Sequence, residues 1–243
     1  MRKFLLICFV VLMPFSLAAQ NVVASTSWTA AFAMAAGADS VTFLAPAEMT
    51  HPAEYELMPS DIPKVAKADY FVYAGYEVMM DEINKTLSGD SSKGIQIVTQ
   101  YDWETMEQSV MTIARRMGTI EKAKENLEAL QALYEQAAQK AKESGLAGQK
   151  ALVHRYQVPF AQTLGLEVVG SFGPQPLTLG QINQFKDSDA TIILDNIHNP
   201  IAKPLQEILP KATCFTLINF PGTKGTKTIN DVISYNLTVV TKK

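Results

Sequence analysis

Hydrophobic residues recur at alternating steps of three and four over residues 119–148, which is the spacing of one face of an α-helix. Lys and Glu side chains fill the opposite face, and Gly145 and Gly148 mark the end of the pattern. Thr119 is placed to cap the start of the helix. At about 1.5 Å per residue the helix spans roughly 38–40 Å. The pattern therefore predicts one long helix that acts as a rigid strut. Its apolar positions are Ile120, Ala123, Leu127, Leu130, Tyr134, Ala137 and Ala141.

Short β-rich runs alternate with helical runs on both sides of this strut, which is typical of parallel sheets covered by helices. We therefore predict an α/β protein of two lobes, residues 20–117 and 149–243, joined by one long α-helix at 118–148. Predicted strands lie at 21–27, 40–45, 70–74 and 95–98 before the strut, and at 150–153, 166–172 and 190–195 after it. Predicted helices include 28–36, 178–185, 201–209 and 229–240.

The first 19 residues have the pattern of a secretory signal peptide. Arg2 and Lys3 precede an apolar run at residues 4–15, and small residues follow it, with cleavage expected after Ala18 or Ala19. The apolar run is too short to span a bilayer, and no later stretch reaches about 18 uninterrupted apolar residues. We expect a protein exported to the periplasm, without a transmembrane anchor.

Composition narrows the classes of function. Loss of Arg2 and Lys3 with the signal peptide takes the net charge from −3 to −5, so a nucleic-acid partner is not expected. Cys214 is the only cysteine outside the signal peptide, which excludes an intrachain disulfide. The chain also lacks the glycine-rich motifs of nucleotide-binding proteins and the nucleophile elbow of serine hydrolases.

The chain has three histidines, two of which, His51 and His154, lie beside predicted strand ends. In open parallel sheets, ligands bind outside the carboxyl ends of the strands. Neutral imidazole is a common ligand of zinc and other transition metals, so His51 and His154 are candidate metal ligands. The alternatives are a solvated loop histidine for His51 and a hydrogen-bonded histidine at a domain edge for His154. His198 follows Asp195 and Asn196, and we interpret it as part of an ordinary turn.

Several segments together resemble the zinc/manganese-type periplasmic solute-binding proteins of ABC importers. The resemblance covers nearly all of the chain after the signal peptide, and it rests on the order of the segments and on the long helix between them. The matching segments lie at residues 21–28, 55–62, 67–77, 153–161, 165–170 and 235–237.

The resemblance implies that a metal ion is held between the lobes by three histidines and a carboxylate. His154 matches one family ligand directly. Another family histidine corresponds to Ala53, and His51 lies two residues earlier. The position of a third family histidine, at 99–103, contains no histidine, and that of the family carboxylate, at 218–221, contains no carboxylate. Candidates that would complete the shell are Glu77, Gln100, Asn219 and His198.

The resemblance also implies a function: capture of a zinc or manganese ion, or a small metal-bearing ligand, and delivery to an ABC permease in the membrane. We expect a monomer, with modest tilting of the lobes about the long helix. One alternative is a metal-dependent hydrolase that uses His51 and Glu54 with an activated water. Another is a surface or adhesive protein that has kept the fold and lost the metal site.

Overall fold

Two four-stranded parallel sheets form the two halves of the molecule. The structure is a computed structural model, which describes residues 20–87 and 92–242. The first half contains β1 Val22–Ala24, β2 Val41–Phe43, β3 Tyr70–Tyr73 and β4 Gly94–Gln96, with helices α1 Ser27–Ala35, α2 Ile62–Ala66, α3 Met80–Thr86 and α4 Trp103–Met117. A single long helix, α5 Ile120–Glu143, follows. The second half contains β5 Lys150–His154, β6 Glu167–Phe172, β7 Ile192–Asn196 and β8 Thr213–Leu217, with helices α6 Val158–Thr163, α7 Leu179–Lys186, α8 Lys203–Ile208 and α9 Ile229–Thr241.

The two sheets have the same topology. Their strand orders are β2-β1-β3-β4 and β6-β5-β7-β8, so the first strand of each half lies between the second and the third. The chain leaves β1 for one side of the sheet and later returns to the other side, and the second half repeats this path from β5. Such a switch point opens a crevice beyond the carboxyl ends of the strands, where ligands bind. The predicted α/β fold with two lobes is confirmed.

Helix α5 is the predicted strut. It has 24 residues and is therefore about 36 Å long. The predicted apolar face is the buried face, because Ala123, Leu127, Leu130, Ala137 and Ala141 are all buried. The helix ends at Glu143, and Gly145 then adopts a left-handed φ of 76°. Glycine adopts this conformation without strain, which explains the stop that the sequence predicted.

One expectation about local structure is wrong, and one strand was not predicted. Thr119 does not cap α5 with its side chain; its hydroxyl instead donates a hydrogen bond to the Ala36 carbonyl and ties α5 to the end of α1. The sequence analysis also missed β8, which pairs with β7 at the edge of the second sheet. Only one of its five residues, Leu217, is buried, so its hydrophobic signal is weak.

The boundary between the halves is crossed by the last helix. α9 belongs to the second half by sequence, but it packs along α5 and reaches α1. One hydrophobic core therefore contains residues of both halves, such as Ile95 on β4 and Ile233 on α9. The lobe boundaries at residues 117 and 149 stay a prediction, because packing alone does not divide the chain there.

The expected signal peptide at residues 1–19 lies outside the described residues. Across residues 20–87 and 92–242, no helix has both the length and the apolar character that a bilayer span requires. The long helix α5 fails this test because charged residues such as Glu121 and Lys122 cover its exposed face.

Replacement of Leu130 by alanine tests the structural role of α5. Leu130 is 1% exposed and packs in the core that the two halves share. Because the substitution leaves a cavity in this core, we expect the free energy of unfolding to fall by about 2–5 kcal/mol. Leu179→Ala is the matched control, since Leu179 is 80% exposed. Urea denaturation of both variants measures the free energy of unfolding. Equal losses of this free energy would contradict the conclusion that α5 is part of the core.

Candidate metal centre

A cleft of about 850 Å³ lies between the two lobes, where the carboxyl ends of the strands face each other. All eight described strands contribute to its walls through the residues that end or follow them. The first lobe supplies the segments after β1 to β4, and the second lobe supplies those after β5 to β8. This position is the one that the topology of parallel sheets predicts for a ligand site.

His51 lies on the loop after β2, directly before the short 3₁₀ turn Pro52–Glu54. Its side chain is exposed and lines the cleft, together with Glu54 on the same turn. Pro52 at the first position of the turn restricts the backbone there and helps to hold the loop. A histidine in this place can turn its ring toward a ligand between the lobes.

His154 ends β5 and is fully buried, so it does not itself line the cleft. Its Nδ1 accepts a hydrogen bond from the backbone N–H of Tyr156, at 3.3 Å. The proton is therefore on Nε2, which donates to Asn199 Oδ1 at 3.0 Å. Burial lowers the pKa of His154, while the hydrogen bond with Asn199 acts in the opposite direction. His154 contacts the cleft through Asn199, which lines it.

His198 lines the cleft from the turn after β7. Its ring stacks on Phe220, with centroids 3.7 Å apart and planes 16° apart. Nδ1 lies 2.9 Å from Asn219 Oδ1 and donates to it, which leaves the lone pair of Nε2 available. Burial lowers the pKa of His198, and the charge of His51 lowers it further. His51 lines the same cleft from the facing lobe. A hydrogen bond from the second ring nitrogen to an oxygen acceptor is common behind metal-binding histidines.

The turn that carries His198 is held by Asp195. Its carboxylate accepts hydrogen bonds from the backbone N–H groups of Asn196, Ile201 and Ala202. The backbone of the turn is that of an ordinary turn, as the sequence indicated. The turn nevertheless places His198 and Asn199 in the cleft. The rule that ligands bind beyond the carboxyl ends of parallel strands, here called the strand-end rule, applies to β7 as well as to β5. Applied to β7, it would have made His198 a candidate metal ligand like His154.

The other three candidates to complete a metal shell have different surroundings. Glu77 is 4% exposed, does not line the cleft, and accepts hydrogen bonds from Ser25 and from the backbone of Ala74 and Gly75. Its carboxylate therefore holds the loop after β3. Gln100 is exposed and lines the cleft. Asn219 also lines the cleft, but its oxygen is engaged with His198.

Buried polar groups without a hydrogen-bond partner also line the cleft. Asn196 is fully buried; its Oδ1 accepts from Gln157 Nε2 at 3.3 Å, whereas its Nδ2 has no partner among the described residues. Trp28 Nε1 and Tyr101 Oη likewise have no partner of good geometry, although their rings meet edge to face at 5.7 Å. These groups are chiefly donors, and a buried unpaired donor is costly.

The described residues contain no cluster of three or more His, Cys, Asp or Glu side chains arranged to hold a metal ion. Cys214 offers no thiolate, because it lies on β8 outside the cleft and burial raises the pKa of its thiol to about 11. Any metal bound in the cleft of this conformation therefore depends on imidazoles, on the single carboxylate of Glu54, on neutral oxygens and on ligands from solution.

Stability should depend on pH through His154 and His198, whose pKa values are lowered from about 6.5 chiefly by burial. The unfolded chain binds protons as the pH falls through about 6.5, before the folded protein does. We therefore expect full stability above pH 6.5 and a loss as the pH falls from 6.5 to 5. Urea denaturation at pH 8, 6.5 and 5 measures this. A His154→Gln/His198→Gln variant should show a weaker dependence in that window, and an unchanged dependence would contradict the assignment.

Comparison with known proteins now adds to this geometry. The sequence profile of the family described as zinc-uptake complex component A, periplasmic (ZnuA), matches residues 22–198. The chain belongs to this family. The matched region runs from β1 to the turn after β7, so it includes His51, His154 and His198. ZnuA-type proteins are periplasmic solute-binding proteins for metal ions, and the resemblance found in the sequence is confirmed. No functionally curated protein matches the chain.

Solved structures of low sequence identity share the fold of this ZnuA-type chain. The laminin-binding protein Lbp of Streptococcus pyogenes is 18% identical, with a TM-score of 0.68 over 91% of this chain and 97% of that one. The solute-binding protein FpvC of P. aeruginosa, in complex with Ni²⁺, is 18% identical, with a TM-score of 0.68 over 90% and 94%. A Mn-bound periplasmic metal binding protein of Candidatus Liberibacter asiaticus is 15% identical, with a TM-score of 0.61 over 90% and 97%.

Proposed function

We propose that the protein is the extracytoplasmic receptor of an ABC importer, which captures a divalent metal ion of the zinc or manganese type and delivers it to a membrane permease. The observation that carries the proposal is the cleft itself. In a ZnuA-type fold, His51 from one lobe and His198 from the other line one cleft, and His154 lies directly behind it. A solute-binding role needs no catalytic residue. We propose a monomer that acts in the periplasm after removal of the signal peptide.

We propose His51 and His154 as ligands of the metal. His51 reaches the cleft without any rearrangement, since it is exposed there. His154 has to exchange the hydrogen bond of Nε2 with Asn199 for the metal. The exchange requires the proton to move from Nε2 to Nδ1, which gives up the hydrogen bond that Nδ1 accepts from the Tyr156 N–H. An imidazole protonated on both nitrogens cannot bind the metal, so binding weakens as the pH falls. Asn199 therefore controls access to His154.

The lobes should move little when the metal binds. Ser27 of the first lobe donates a hydrogen bond to the Pro221 carbonyl of the second lobe, at 2.6 Å. Trp28 stacks on Phe220 across the same boundary, with centroids 5.7 Å apart. Because α5 also connects the lobes without a break, modest tilting is expected and wide closure is not.

A deletion strain grown with limiting metal tests the proposed function. The parent gene should restore cellular zinc or manganese, measured by mass spectrometry, and a His51→Ala gene should fail to do so at equal protein level. Glu48→Ala is the matched control, because Glu48 lies on the same loop but outside the cleft. Normal metal content in the deletion strain under limitation would contradict the importer role.

A surface or adhesive role is the second candidate. Two observations favour it: no cluster of three or more metal-binding side chains lies among the described residues, and the structure resembles a protein described as laminin-binding. In this case the purified protein would bind neither free metal ions nor metal–chelator complexes. The deletion strain would have normal metal content.

A further inference from the structure

The cleft is larger than a bare metal ion requires. Its volume of about 850 Å³ lies within the range of about 300–1,000 Å³ that is typical of small-molecule sites. Metal–nitrogen bonds are only about 2.0–2.1 Å long, so an ion held by His51 leaves most of this space to other atoms. Aromatic side chains such as Tyr76 and Tyr156 line much of the remainder. The size alone indicates a cargo with several atoms besides the metal.

The polar groups of the cleft are suited to an anion rather than to a cation alone. Glu54 is the only carboxylate among the described residues that line it, whereas carboxylates are common ligands of zinc and manganese. Arg155 lines the cleft, is exposed, and has no ion pair within the described part of the chain. The cleft thus presents a free guanidinium where the family fold would be expected to hold a cation.

Asn196 adds a buried donor to this side of the cleft. The side chain is fully buried at the end of β7, and Gln157 fixes the amide by donating to its oxygen. The Nδ2 group is buried, and no described residue accepts its hydrogen bonds. Tyr101, 8% exposed, also has a hydroxyl without a partner there. Oxygen atoms of a ligand would satisfy these groups.

His198 supplies a second accessible imidazole. Its Nδ1 is held by Asn219, so Nε2 has the lone pair that a metal needs, and His51 lines the same cleft from the facing lobe. Two imidazoles leave a metal with several open coordination positions. An organic anion with carboxylate groups can fill these positions and at the same time reach the donors of the cleft.

We propose that the cargo is a divalent metal ion complexed with a small carboxylate-bearing anion. In this complex, unlike with the bare ion, His154 keeps its hydrogen bond with Asn199. His51 and His198 bind the metal, and Arg155 and Asn196 bind oxygens of the anion. This inference rests on the proposed metal-binding function and names its substrate class. It also explains why the position of the family carboxylate, at 218–221, lacks one, because the anion brings carboxylates to the metal.

Calorimetric titration of the untagged exported protein tests the proposal. The probes are Ni²⁺ and Zn²⁺ alone, and the complexes nickel–nitrilotriacetate and zinc–citrate. Nickel–nitrilotriacetate leaves two coordination positions open, which suits two imidazoles. We expect at least one complex to bind at least about tenfold more tightly than its free ion, and His198→Ala to abolish this preference.

Two variants separate the anion from the metal. Arg155→Gln should reduce the affinity for the preferred complex about tenfold and leave the affinity for the free ion unchanged. Asn196→Asp replaces a donor by a negative charge, so it should weaken the complex and not weaken the free ion. Arg115→Gln, at an exposed position on α4, is the matched control for Arg155. Thermal melting verifies that each variant is folded. If the Asn196→Asp variant is not folded, the Arg155→Gln variant alone tests the binding of the anion.

Each outcome decides the proposal. Free ions that bind as tightly as their complexes, or an Arg155→Gln variant that binds the complex like the parent, would overturn it and leave the metal receptor intact. Failure of both ions and both complexes to bind would overturn it together with the proposed function.

Discussion

A variant with both His51→Ala and His154→Ala is expected to bind divalent metal at least about 100-fold more weakly than the parent protein. Loss of a residue that only supports a metal ligand typically costs about 10–100-fold in affinity, and loss of a ligand costs at least as much. Because ligands of one metal act together, each single variant should show most of the loss, and the second substitution should add little. Calorimetric titration with zinc and manganese measures the three variants against the parent.

Asn199→Ala is the informative companion variant. Asn199 accepts the hydrogen bond of His154 Nε2, at 3.0 Å. If His154 is a ligand, removal of the amide frees Nε2, so the affinity for metal should stay equal or rise. If His154 only positions Asn199, the Asn199→Ala and His154→Ala variants should show the same loss. Parent-like affinity in the double histidine variant would refute the role of both histidines.

Gly173→Ala should damage both stability and metal binding. Gly173 has a left-handed φ of 76°, and an added Cβ would lie 2.5 Å from His154 Nε2 and 3.1 Å from Ile201 Cδ1. The side chain of His154 cannot give way easily, because it is fully buried and hydrogen-bonded on both nitrogens. We expect the substitution to displace the ring and to weaken metal binding at least about tenfold.

Gly118→Ala is the matched control for this substitution. Gly118 has nearly the same φ, 74°, but nothing lies within 4 Å of an added Cβ. Both variants carry the cost of a left-handed alanine, about 1–2 kcal/mol. Gly173→Ala should lose about 1–3 kcal/mol more from overpacking. Urea denaturation and zinc titration of both variants give the comparison, and equal losses of stability would show that the contact with His154 is relieved without cost.

Much of the fold could be predicted because its signals are local. The spacing of Leu127 and Leu130 with the alanines on the same face fixes a helix, and glycines after Glu143 end it. Thr26 caps α1 with its side chain, as a threonine before a helix predicts. The role of Thr119 could not be predicted in this way, because its partner, the Ala36 carbonyl, lies 83 residues earlier in the chain.

The candidate site was only partly predictable for a related reason. The strand-end rule uses topology, so it correctly brought His51 to the cleft. It does not determine the direction of a side chain, and therefore it did not show that both nitrogens of His154 are engaged inside the protein. His198 acquires its orientation from Phe220 and Asn219, which lie more than 20 residues away in sequence. Glu77 was a candidate metal ligand because it lies in a segment that resembles the family, at 67–77. Its carboxylate is instead held by backbone N–H donors.

X-ray absorption spectroscopy of the zinc-loaded protein counts the imidazoles bound to the metal. We predict at least two imidazoles at about 2.0–2.1 Å, with oxygen in the remaining positions and no sulfur. We further predict that His51→Ala removes one imidazole from the count. A spectrum of zinc surrounded only by oxygen, unchanged by His51→Ala, would contradict metal capture by the histidines of the cleft.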